Sequence, residues 1–221
     1  MLVKDRMSPN VLTISPDTTV PEALAKMEEK GIRRLPVVDK DRLVGIVTLL
    51  DLVRASPSPA TSLSVWELTY LLTKLPVKDI MTKKVHSVTS ATTIDAAAAI
   101  MREYHIGGLP VLEGQRVVGI ITETDIFSAF LEMLGVHRGG LRLTLELTER
   151  HGALADVALL FRDYGVNIVS AVAFISDEDK EVAHSVWRIE NCNDSEALIS
   201  FIRQKGYEVV HFSENGETKE I

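Results

Sequence analysis

Two short turns carry the side chains with the clearest capacity for chemistry. Thr48 is followed three residues on by Asp51, and Thr122 by Asp125, each time after Gly-Ile-x. The residues before each threonine read as the end of a buried strand, and those after it as the start of a helix. A helix start exposes unpaired N–H groups and partial positive charge, so an anion such as phosphate can rest there, with a threonine hydroxyl adding a hydrogen bond. A carboxylate one turn on can accept hydrogen bonds from a ribose diol. Thr-x-x-Asp is also a capping box that needs no ligand. Recurrence at matched places favours the ligand, because drift from a duplicated ancestor has less reason to keep a polar pair on a turn than to keep core hydrophobes.

The recurrence extends to a whole unit. Residues 3–51 and 77–125 align without a gap at an offset of 74, and 21 of the 49 positions are identical. Both copies read Val-Lys-Asp-x-Met, Thr-Thr, Leu-Pro-Val and Gly-Ile-x-Thr-x-x-Asp. Each copy is too short to bury a good core alone, which implies a packed pair with pseudo-two-fold symmetry and two equivalent clefts. In the first copy the pattern predicts a strand at 11–14 and a helix from Asp17-Thr18-Thr19 to about Gly31, with Pro21 in its first turn. Strands at 35–38 and 43–47 follow. The second copy predicts a helix at 93–104, strands at 109–112 and 117–121, and a longer closing helix at 122–134.

Between the copies, Ser-Pro-Ser-Pro at 56–59 reads as a linker. A helix at 64–75 is apolar on most sides, so it packs either on its own repeats or on a second subunit. Gly139-Gly140 marks a boundary, after which the elements are strand 141–147, helix 153–164, strands 166–175 and 181–189, helix 195–205 and strand 207–212. That βαββαβ order is the ferredoxin-like plait. Residues 177–180 read as a hairpin loop, Asn193-Asp194-Ser195 as a helix cap, and the polar stretch 213–221 as a frayed end. The expected fold class is mixed α+β: repeat one at 1–56, linker and helix at 57–75, repeat two at 76–134, a plait at 135–213 and a tail at 214–221.

With these motifs in place, residues 3–134 resemble a tandem pair of CBS domains, a Bateman module, whose pattern ends in Gly-h-x-h-x-Ser/Thr-x-x-Asp, where h is hydrophobic. Here the threonine lies one place closer to the glycine, while the Thr-x-x-Asp interval is kept. The resemblance implies clefts that take adenosine-containing ligands: AMP, ADP, ATP or S-adenosylmethionine. Carried over, Thr48 and Thr122 would contact phosphate, and Asp51 and Asp125 the ribose hydroxyls. Backbone around Thr13-Ile14, Pro36-Val37, Ser87-Val88 and Pro110-Val111 would hold the adenine. The copies differ at Arg33-Arg34, which becomes Gly107-Gly108. Guanidinium groups beside a cleft suit phosphate, so the pockets are expected to be inequivalent unless the arginines only solvate a helix end.

The last segment resembles an ACT domain, on its element order, on residues 149–154 and on Gly165-Val166-Asn167-Ile168. That resemblance implies dimerisation, either alone or with an effector site, often for an amino acid, across the dimer interface, with roles for Gly152, Leu154 and Asn167. His151 departs from the small or acidic residues often found there. The whole order resembles the acetoin-utilisation accessory family, which has no well-defined biochemical activity.

Composition narrows the classes. The chain has 221 residues, 46% hydrophobic and 25% charged, as in ordinary globular proteins. A formal charge of −7 argues against nucleic acid. A single cysteine, Cys192, excludes an intrachain disulfide, and no run reaches membrane-spanning length, so the expected location is cytoplasmic. No nucleophile motif appears, and six histidines without i, i+4 pairing offer no metal site. The reading is a non-catalytic regulatory sensor without a metal or cofactor. Its partners are an adenosine ligand, an amino acid, a second copy and an unknown target protein, not a membrane. The alternative is a dimeric scaffold or regulatory partner of a metabolic enzyme, with vestigial clefts.

Overall fold

The computed structural model describes residues 1–55, 74–175, 182–214 and 217–219. The expected linker at 56–59, all but the last two residues of the helix at 64–75, and the loop at 177–180 lie outside these. The chain forms two compact units, Met1–Phe127 and Ser128–Ile221.

Each repeat begins with a 3-10 turn at Val-Lys-Asp (Val3–Asp5 and Val77–Asp79). The first then runs β1 (Ser8–Pro9), α1 (Val20–Lys30), β2 (Arg34–Asp39), β3 (Arg42–Thr48) and α2 (Leu49–Ala55). The second runs β4 (Val88–Thr89), α3 (Ile94–Tyr104), β5 (Gly108–Glu113), β6 (Arg116–Thr122) and α4 (Glu123–Met133). Thr19 caps α1, and its backbone N–H donates to Glu22 Oε2 at 3.0 Å, completing a capping box. Hydrogen bonding from Thr19, its backbone first and then its side chain, holds the Glu22 carboxyl below its ordinary pKa. In the second repeat Ala96 replaces that glutamate, so Thr93 only accepts, from Ala96 N at 3.3 Å. Both helices end in a left-handed residue, Gly31 and His105.

The strand expected at 11–14 is reduced to one bridge, Ile14 with Val37. Its counterpart β4 pairs with β5 over two positions, Val88 with Val111 and Thr89 with Leu112. The cause is Pro16, which stands where the second repeat has Ser90 and lacks the N–H that would extend the ladder.

The repeats are joined by exchange of their opening segments. Ser8 of β1 pairs with Ile120 of β6, and the matched Thr82 with Ile46 of β3. Val3 N donates to Thr92 O at 2.8 Å, and Val77 N to Thr18 O at 2.8 Å. Val77 is accordingly buried in the first repeat's core with Val20, Ala23, Met27, Leu35, Val37, Val47 and Leu52. The repeated methionine and glycine serve this exchange. A Cβ on Gly45 would stand 2.3 Å from Met81 Sδ, and one on Gly119 2.5 Å from Met7 Sδ.

The Ser128–Ile221 unit carries β7 (Leu141–Thr148), α5 (Ala153–Tyr164), β8 (Asn167–Ile175), β9 (Val182–Glu190), α6 (Ser195–Gln204), β10 (Glu208–Glu214) and β11 (Glu217–Lys219). The sheet order is β11-β10-β7-β9-β8, all antiparallel. Leu141, Leu143, Leu145 and Leu147 alternate inward and pack with Val157, Phe161, Trp187, Leu198 and Ile202, while on the other face Arg188 meets the segment Leu134–Gly139. Within this unit Leu134 O accepts from Ser170 Oγ at 2.9 Å and from Arg188 Nε at 3.1 Å. The tail does not simply fray. Ser213 and Glu214 belong to β10, and β11 pairs back on Phe212, Ser213 and Glu214.

Candidate functional site

Strand register and helix start converge on each Thr-Asp turn. Thr48 closes β3 and Asp51 lies in the first turn of α2. Asp51 Oδ2 accepts from Thr48 N at 2.8 Å and from Thr48 Oγ1 at 2.7 Å, and Asp51 N donates to Thr48 Oγ1 at 3.3 Å. In the second repeat the same three bonds measure 2.8, 2.7 and 3.4 Å, between Thr122 and Asp125. Each carboxylate is thus committed through Oδ2 to its own turn. The side chains are half-buried.

The expected adenine-facing segments do come together within each repeat. Ile14 N donates to Pro36 O at 3.1 Å, and Val38 N to Ile14 O at 2.8 Å, while Val88 pairs with Val111. Ile14, Val37, Val88 and Val111 are buried, so these segments offer backbone, proline and the hydroxyls of Thr13 and Ser87 rather than those apolar side chains. Pro36 pairs with Ile46, two residues before Thr48, and Pro110 with Ile120, two before Thr122. Each Thr-Asp turn therefore lies at one end of the strand pair whose proline belongs to the segment expected to face adenine.

The two arginines part company. Arg34 is the strand partner of Thr48, yet its guanidinium crosses to the second repeat and donates through Nη1 to Gly107 O. It is half-buried, and burial lowers its pKa; Glu123, and more weakly Asp125, oppose that. Gly107 O also accepts from Glu123 N at 3.2 Å, at the start of α4. A Cβ on Gly108 would collide with the Arg34 guanidinium, so the glycine pair is the space that Arg34 fills. Arg33 stays exposed, and its carbonyl accepts from Leu49 N at 2.8 Å in its own repeat. Sequence reasoning put both arginines at one cleft and missed Glu123. The sign for both was Gly107-Gly108, a gap that the partner repeat could fill.

In the second unit, Gly152 (φ +85°) and Leu154 line a cavity of about 580 Å³ together with Arg150, His151, Phe174 and Ile175. Asn167 is at the other end of the sheet, where its Nδ2 donates to Glu190 Oε2 at 3.3 Å. A single chain therefore does not bring Asn167 to Gly152 and Leu154.

The CBS domain model matches residues 3–58 and 77–132, the two repeats that exchange their openings. The chain belongs to the CBS-domain family. A CBS domain-containing protein of Dictyostelium discoideum is 35% identical over 136 residues, 61% of this chain and 94% of that protein. The inosine-5'-monophosphate dehydrogenase of Korarchaeum cryptofilum is 38% identical over 119 residues, 53% of this chain but 22% of that enzyme. Among solved structures, CBSX2 in complex with AMP is 31% identical, with a TM-score of 0.50, over 59% of this chain and 96% of that one. A Vibrio cholerae protein described as an acetoin utilization protein (AcuB) is 29% identical, with a TM-score of 0.52, over 62% and 96%. CBS-pair relatives thus include one that binds AMP. Among the described residues no helix is long and apolar enough to cross a membrane.

Proposed function

We propose that this CBS-domain protein is a non-catalytic regulatory sensor, taking an adenosine-containing ligand (AMP, ADP, ATP or S-adenosylmethionine) at the Thr48–Asp51 and Thr122–Asp125 turns. The observation that carries it is the matched geometry of those turns in a pair whose relative CBSX2 holds AMP. The ligand's phosphate meets the threonine hydroxyl, its ribose the aspartate, and its adenine the backbone at Pro36-Val37 or Pro110-Val111. The Thr122–Asp125 cleft, which receives Arg34, takes the more highly phosphorylated ligand. The second unit acts as an ACT domain: it dimerises the chain, and its Gly152 turn meets Asn167 of a second copy to receive an amino acid. The architecture supports a cytoplasmic regulator of the acetoin-utilisation accessory type that acts on a partner protein.

Ligand binding shifts the balance between two arrangements of the repeats only by its differential affinity for them, commonly about 1–3 kcal/mol of coupling. A thermal melt with millimolar AMP, ATP or S-adenosylmethionine tests the proposal. A ligand at 100 times its Kd adds about 2.7 kcal/mol to native stability and must raise the midpoint. No shift with any of the three favours a second reading, a dimeric scaffold with vestigial clefts. What favours that reading is that each Thr-Asp pair already satisfies itself as a cap.

A further inference from the structure

We infer that the sheet face opposite α5 and α6 in the Ser128–Ile221 unit binds a small oxyanion, a carboxylate or phosphate group, between Arg142, Arg188 and His211. Strand register lays that face out in rows. One row is Ser213, Arg142, Arg188 and Ser170; the next is His211, Thr144, Val186 and Val172. Arg142 and Arg188 are direct cross-strand partners, which places their Cβ atoms about 5 Å apart, where like charges destabilise a sheet. Both are half-buried. Among the described residues neither forms an ion pair with a carboxylate.

The arginines are also held in place. Arg188 donates through Nε to Leu134 O at 3.1 Å and through Nη1 to Gly139 O at 3.1 Å, so its charge cannot swing away. Arg142 Nη1 donates to Thr144 Oγ1 at 3.2 Å and lies 3.3 Å from His211 Nδ1. If Nδ1 accepts there, the ring hydrogen sits on Nε2. Arg142 Nε and Nη2, Arg188 Nη2 and His211 Nε2 then remain as donors from three adjacent strands. Burial, and after it the charge of Arg142, push the Arg188 pKa below the ordinary arginine value.

Among the described residues no acid supplies the missing charge. Glu146 and Glu208 face each other on the same sheet face, but four residues along β7, about 13 Å at the usual strand rise. Glu190 is engaged by Asn167 and Arg138. An external oxyanion would neutralise both arginines and match their fork of donors. This site lies at the opposite end of the sheet from the Gly152 cavity and does not depend on the adenosine clefts.

The test is a titration of the full chain with inorganic phosphate and, in a separate arm, with succinate, at constant ionic strength, followed by NMR at the Thr144 and Arg188 amides and the His211 ring. Saturable shifts are expected in at least one arm. Saturation by phosphate alone identifies a phosphate group, by succinate alone a carboxylate, and by both a shared oxyanion site. Arg142→Gln should weaken binding at least about tenfold, and Arg162→Gln, an exposed residue elsewhere in the unit, should leave it unchanged. If Arg142→Gln fails to fold, His211→Gln is read in the same way. Shifts that rise linearly in both arms, or that persist in Arg142→Gln, overturn the inference.

Discussion

At the first repeat's turn Thr48 has Arg34 as its strand partner; at the second, Thr122 has Gly108. The three hydrogen bonds of the turns are otherwise the same, differing only as 3.3 against 3.4 Å in one of them. Duplication has kept the turn and altered its neighbour. Arg34, which stands where the other copy has Gly108, reaches across to that copy's Gly107. A residue's position in a repeat and the cleft it serves are therefore different things, and Arg34 separates them.

The comparison can be broken most severely at the glycines the repeats do share. Gly45→Val and Gly119→Val drive a side chain into Met81 or Met7 and should each lower stability by about 1–3 kcal/mol in denaturant unfolding. Met81→Ala should recover part of the Gly45→Val loss but none of the Gly119→Val loss. Equal recovery in both would mean that the exchanged packing is wrong. Next, Asp125→Ala should weaken AMP binding by about tenfold or more, the loss expected of hydrogen bonds to a charged group worth about 1.5–3 kcal/mol. The same change removes a cap and should cost about 1 kcal/mol of stability, and Asp51→Ala should match it.

A smaller effect sharpens the difference between the clefts. Arg34→Ala should reduce the preference for ATP over AMP severalfold at the Thr122–Asp125 site and leave the Thr48–Asp51 site unchanged, read by calorimetry in the Asp51→Ala and Asp125→Ala backgrounds. Arg33→Ala, at an exposed position, should change neither. The smallest effect separates α1 from α3. Glu22 has a depressed carboxyl pKa in the folded chain, so its contribution is present above the ordinary value of about 4.5 and fades as pH falls through the folded value. Glu22→Gln should flatten the acid side of the melting profile slightly, and Ala96→Glu should steepen it.

Much of this was legible in the chain. The 74-residue offset gave the repeats, and the period-2 leucines from Leu141 to Leu147 gave a strand with one covered face. The Thr-Asp turns stood out because polar residues recur there without a packing reason. Other features were hidden because they depend on non-local neighbours. Nothing in Arg34 itself says that it crosses to Gly107, and the role of Gly45 is visible only once Met81 is seen above it. The short strand at 11–14 was overread because Pro16 weighs on the following ladder bond rather than on the strand's own residues. The strand Glu217–Lys219 was missed although Asn215-Gly216, a dipeptide that favours tight hairpins, stands before it.

The most direct measurement is calorimetric titration of AMP into the full chain and into the Asp51→Ala, Asp125→Ala double variant, with unfolding curves confirming that both are native. Saturable binding by the parent chain that the double variant loses is the result expected if the Thr-Asp turns hold the nucleotide. Equal binding by both proteins, or none by either, would contradict the assignment of those turns to a ligand.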